Sequence, residues 1–126
     1  MTTNQIKDTV IAHRRTIHRL AELGGQEYKT RDYILEYIKK WGLPYEMVTE
    51  TAILATLDTG REGPHIALRA DMDALPLTED SARPFCSLHP GHMHACGHDA
   101  HVAIALGTAR ILMESRSEWA GGVKFF

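Results

Sequence analysis

The chain has 126 residues, 44% of them hydrophobic and 24% charged, with 14 Lys+Arg against 16 Asp+Glu. That composition excludes a disordered or fibrous chain, the length allows one domain at most, and the near-balanced charge leaves no basic stripe for nucleic acid. No apolar run approaches the roughly 20 residues that span a bilayer, no apolar leader opens the chain, and two cysteines are too few for a disulfide scaffold. The expectation is a cytoplasmic chain with reduced thiols and neither a membrane nor a nucleic-acid partner.

Taken in order, Ile6, Val10, Ile17 and Leu20 recur at helical steps, which predicts a helix over residues 4–23 stopped by Gly24-Gly25. A second helix is predicted over 30–41, with Tyr33, Ile34, Tyr37, Ile38 and Trp41 on one face, Gly42 at its end and Pro44 beyond. Apolar runs at 52–57 and 65–70 flank the turn formers of 58–64, and this pattern predicts two adjacent strands joined by a hairpin-like connection. Runs apolar on both faces predict a sheet covered by helices, an α/β arrangement. Residues 78–97 have little periodicity and contain Pro84, Pro90, Gly91 and Gly97, so they read as a long functional loop. A third helix over 99–115 buries Val102, Ala105, Leu106, Ala109 and Leu112, and a last strand starts at Val123. Because the sequence stops inside that apolar strand, it is expected to be a piece of a longer protein.

Metal-ligating side chains are concentrated in one place. Of eight histidines, His89, His92, His94, His98 and His101 fall between residues 89 and 101, with Cys96 among them and Cys86 just before. Thiolate and imidazole together suit zinc and its first-row neighbours. Cys96 and His98 flank Gly97, whose freedom lets the backbone turn tightly so that both side chains reach one ion. Asp99 is expected at the helix N-cap and as a carboxylate able to orient an imidazole, with His101 one turn beyond His98. His89 and His92 read as loop residues and Cys86 as a buried or loop thiol. A second group, Arg69-Ala70-Asp71-Met72-Asp73-Ala74-Leu75-Pro76, follows directly on an apolar strand, where open α/β sheets gather their ligands. Asp71 and Asp73 are expected on one side of an extended segment; read without a ligand, they are solvated acids with Arg69 as an exposed partner.

These segments resemble the amidohydrolase branch of the aminoacylase/carboxypeptidase metallopeptidase family, which includes hippurate hydrolases and N-acetyldiaminopimelate deacetylases. The resemblance is carried by His13-Arg14-Arg15 with His18 and Glu22-Leu23, by Glu27, by RADMDALP at 69–76, by MHACGHDAH at 93–101 and by Gly121-Gly122-Val123-Lys124-Phe125. It implies the N-terminal portion of a zinc-peptidase-like catalytic domain, with an incomplete mixed sheet flanked by helices and with the lid and dimerisation domain absent. It also implies metal-dependent hydrolysis of the amide bond of small N-acyl amino acids by two divalent ions, commonly manganese, zinc or nickel. On that resemblance Cys96 and His98 match metal ligands and Asp71 matches the catalytic Asp, while Asp73, Asp99 and His101 match positions without a settled role. Two positions depart from the family pattern: Ala21 stands where Pro is usual, and His92 where Val is frequent. The family's Glu-Glu pair, comprising its general base and a ligand, and two later His ligands have no counterpart in the 126 residues. The chain alone is therefore expected to bind metal weakly and to lack turnover, and a homo-oligomer is expected only of the complete protein. The competing readings are a non-catalytic remnant or metal-binding module, and a thiol hydrolase using Cys96 as nucleophile.

Overall fold

The computed structural model describes residues 1–80 and 82–126. Helix α1 spans Thr3–Leu20, α2 Tyr28–Lys40 and α3 His98–Glu114; the strands are β1 Tyr45–Met47, β2 Ile53–Asp58, β3 His65–Leu68 and β4 Gly122–Phe125. A single 3-10 turn, Arg116–Glu118, leads from α3 toward β4. The fold is mixed α/β, as the sequence predicts, with one four-stranded sheet in the order β1-β2-β4-β3.

The three helices and β2 share one core. Ile17 of α1, Ile34 and Ile38 of α2, Val102 and Leu106 of α3, and Ile53, Ala55 and Leu57 of β2 are all buried together. In β2 these residues alternate with half-exposed ones, the period-2 signature of a strand with one covered face. Helix α1 packs principally on α3.

Two expectations about the sheet are corrected. The strands at 53–58 and 65–68 are not neighbours: β4 lies between them, antiparallel to β2 and parallel to β3. The 58–64 segment is thus a connection across a strand position rather than a hairpin turn. Nor is β3 covered on both faces; it is the sheet's edge and is largely exposed, with Ile66 54% accessible. A short apolar run reads alike in a buried and an edge strand, and the pairing was decided by a strand more than fifty residues away.

The parallel β3–β4 pair needs a crossover, and α3 supplies it. The chain leaves β3 at Leu68, runs through residues 69–97 and returns along α3 to β4. Gly121 makes the last corner possible: its φ is 90°, and a Cβ there would sit 1.9 Å from the Pro64 carbonyl oxygen.

Helix boundaries shift for physical reasons. Helix α1 ends three residues before the predicted 23 because Ala21 leaves helical geometry (φ 18°) and the chain peels away to join another segment. Leu23 bridges Ala74, and the Ala74 N–H donates to the Glu22 carbonyl at 2.8 Å. Helix α3 starts at His98, with Gly97 in the N-cap position at φ 83°. Asp99 therefore lies inside the first turn, not at the N-cap, and its carboxylate is used elsewhere.

Candidate metal centre

The two motifs at 69–76 and 93–101 lie between the carboxyl end of β3 and the first turn of α3. The structure places Asp73 against His98: the His98 ring Nδ1 lies 2.9 Å from the Asp73 carboxylate Oδ1 and 3.0 Å from the Asp73 carbonyl oxygen. Both partners are acceptors, so Nδ1 carries the proton and donates. In the neutral ring this leaves the Nε2 lone pair free, the state an imidazole needs to bind a metal. The left-handed turn at Gly97 separates this ring from Cys96, whose side chain is exposed. His101 stacks on His98 at 5.7 Å, one turn along, as the spacing predicts.

Asp71 and Asp73 do not share a partner. Asp71 accepts from the Arg69 guanidinium at 2.8 Å in an exposed pair, while Asp73 holds His98. Both line an apolar cavity of about 450 Å³ bounded by α2, α3 and the end of the sheet, where Glu27 also presents a buried carboxylate oxygen, Oε1, with no partner among the described residues.

Behind the turn lies a buried polar network. The His18 Nδ1 is 2.8 Å from Asp99 Oδ2, and its Nε2 is hydrogen-bonded to Glu79 Oε1. Arg14, one turn earlier on α1, reaches the same Asp99 oxygen at 2.9 Å. The side chains of His18, Asp99 and Glu79 are 1–3% exposed. Glu79 also accepts from the Ser87 N–H at 2.8 Å and from the Cys86 thiol. Burial works to raise the Glu79 carboxyl, but the hydrogen bonds from Cys86, His18 and Ser87 outweigh it and hold it at about 2. The same contact with Glu79, together with burial, pushes the Cys86 thiol up, so this half-buried loop thiol is kept protonated.

His94 is the unusual group. It is 4% exposed, and neither ring nitrogen has a partner among the described residues. Burial pushes it down and toward the neutral form, against the raising effect of the Asp99 charge. Its ring lies 6.3 Å from that of His18. His89 and His92 stack on each other in the loop, as expected of loop residues.

The donor set suits a zinc-like ion in kind but not in number. Among the described residues no three His, Cys, Asp or Glu side chains are grouped to hold a metal, and a zinc site with catalytic function needs about three protein ligands.

Comparisons with known proteins bear on the family and the fold. Residues 67–126, the stretch from β3 through both chemical motifs to β4, match the model of peptidase family M20/M25/M40. Over that stretch, just under half of its length, the chain is similar to that family. Over 123 residues it is 42% identical to the N-acyl-L-amino acid amidohydrolase of Geobacillus stearothermophilus, covering 97% of this chain and 33% of that protein. Over 110 residues it is 46% identical to the N-acetyldiaminopimelate deacetylase of Halalkalibacterium halodurans, covering 83% of this chain and 29% of that one. The solved YXEP protein of Bacillus subtilis, described as a dinuclear metal binding peptidase from the M20 family, superposes with a TM-score of 0.89 at 38% identity, covering 97% of this chain and 35% of that one. The chain thus spans about a third of the length of the relatives it matches. The M20 relatives are hydrolases, and the fold seen here is a fragment of theirs.

Proposed function

We propose that these residues form the N-terminal part of the catalytic domain of a metal-dependent amidohydrolase acting on small N-acyl amino acids in the cytoplasm. Cys96 and His98 are its metal ligands from this segment, and Asp71 is its catalytic carboxylate. The observation that carries the reading is the Asp73–His98 pair, which fixes the ring's tautomer and leaves the Nε2 lone pair for a metal, two residues along the chain from an exposed cysteine. The relatives' names support the chemistry, and one of them binds two metal ions.

A divalent ion held there would polarise an amide carbonyl and lower the pKa of a water. The chain's own residues do the rest of what this segment contributes. Asp73 orients His98, an apolar cavity wall flanks the segment, and Asp71, tethered by Arg69, stands at the rim as a carboxylate able to orient a ligand near the metal. Glu27 adds a second carboxylate on the same wall.

Two donors and no Glu-Glu pair make the 126 residues by themselves a weak metal-binding unit without turnover. The test is hydrolysis of N-acetyl amino acids with manganese, zinc or nickel supplied. The protein carrying this segment with the remainder of its catalytic domain should turn over and lose activity on chelation and on Cys96→Ala; the 126 residues alone should bind metal and release no acetate. Turnover that resists chelators but is lost on thiol alkylation would overturn the metal reading.

A further inference from the structure

Helix α1 is not part of the proposed metal-binding segment, yet four of its residues engage the loop that is. Arg14 and Arg15 place their guanidinium carbons 5.3 and 4.9 Å over the Phe85 ring, and His18 meets the same ring edge-on at 5.8 Å. Arg19 donates to the Pro84 carbonyl at 3.0 Å, and its own carbonyl accepts from the Leu88 N–H at 2.9 Å. The loop therefore lies strapped along α1. One side chain does more than strap it. His18 contacts Glu79 with one ring nitrogen and Asp99 with the other, and those two carboxylates bracket the segment that contains His94, Cys96 and His98.

We propose that His18 is a positioning residue that pins both ends of the 79–99 loop to α1 and thereby sets the spacing between Cys96 and His98; this rests on those two residues being the metal ligands. Closing a loop of this length costs conformational entropy that grows slowly with length. Fixing both ends at one ring removes that freedom before any ion arrives, so less ordering is left for binding. The other ties each hold one place without joining the two ends: Arg19 holds the chain at 84 and 88, and Asp73 holds the His98 ring. The Leu75–Met93 bridge ties only the middle, and the buried His94 ring makes no hydrogen bond among the described residues. Downstream, Asp99 directly follows His98, so any swing of the first turn of α3 moves the ligand with it. Arg14 on the same Asp99 oxygen resists that swing.

The test compares His18→Gln with His13→Gln in the full chain. His13 is equally buried on the same helix but faces Tyr33, away from the loop, so it matches the loss of packing and not the loss of the pin. Two readouts are taken: amide hydrogen exchange in the metal-free chain, and cobalt(II) titration followed by thiolate-to-cobalt absorption. Expected for His18→Gln are faster exchange across 82–97, with the sheet unchanged, and cobalt binding weakened about tenfold; His13→Gln should leave both alone. Equal loop exchange in the two variants overturns the proposal. Absence of a thiolate–cobalt band in the unaltered chain would sink the metal reading, while the exchange comparison still decides the pin. Should His18→Gln fail to fold, Glu79→Gln releases only the upstream end: exchange should quicken at 85–88 and not in the first turn of α3, and no change at 85–88 would overturn the proposal.

Discussion

A carboxylate facing a ring nitrogen does different work depending on what the ring's other nitrogen meets. Asp73 leaves the far side of His98 free, whereas Asp99 faces a ring whose far side is already on Glu79. The first arrangement presents a lone pair and the second consumes it. Asp73→Ala should accordingly weaken zinc or cobalt binding by about 10–100-fold with little loss of stability, since its side chain is 43% exposed; unchanged affinity by calorimetric titration would argue against the tautomer lock. Glu79 sets an acid limit. Its carboxyl is held at about 2 when folded against 4.5 ordinarily, so the folded chain binds fewer protons between those values. Its contribution is complete above the ordinary carboxylate range and is lost as pH falls from about 4.5 through 2. Urea unfolding from pH 6 to 2 should show that limb, and Glu79→Gln should flatten it. His13 acts in a higher window with the same sign. Burial, aided by the Arg110 charge, pushes it below its usual 6.5, so stability declines as pH drops beneath that value. Local spacing drew attention to Cys96, His98 and the two Asp residues, but not to the contact between Asp73 and His98, which are 25 residues apart. Glu79 was not legible: it meets His18 across 61 residues, and no periodicity links a loop acid to a helix histidine.

Helix positions depend on a few ties that local propensity does not reveal. Glu22 shows this. Its carboxylate accepts from the Lys29 and Thr30 N–H groups at 3.0 and 2.7 Å and from the Thr30 hydroxyl at 2.8 Å, so it caps α2 from outside the helix. Glu27, the residue in the N-cap position, makes no such bond. Glu22→Ala should strip those first-turn donors and cost about 1–2 kcal/mol, measurable by chemical denaturation. The α1–α3 contact has similar precision. A Cβ at Gly107 would stand 2.5 Å from Val10 Cγ2, a branched side chain with little freedom to yield. Gly107→Ala should destabilise by about 1–3 kcal/mol, despite alanine's better helix propensity; a rise in the melting temperature would contradict this packing. The sequence located all three helices from apolar spacing. It misplaced the end of α1 because the Ala21–Leu23 departure is driven by pairing with Ala74, a contact fifty residues downstream.

At the scale of the whole molecule, the sheet and the cavity describe an architecture that continues beyond a local site. The strand elements were legible from their apolar runs, although the three-residue β1 was too short to register and the strand order was not encoded in any run. Strands β2 and β3 are antiparallel and are joined by only residues 59–64, which is the local arrangement of a hairpin. The native sheet keeps them apart by the width of β4, whose partners lie 64 residues from Asp58 and 57 from His65. A folding chain therefore meets the cheaper pairing first, because short loops close before long ones. That early hairpin has to open before β4 can enter. Refolding should show a rollover at low denaturant, where the premature pairing is most stable, and the interleaved strand makes this small sheet a competitor of its own precursor.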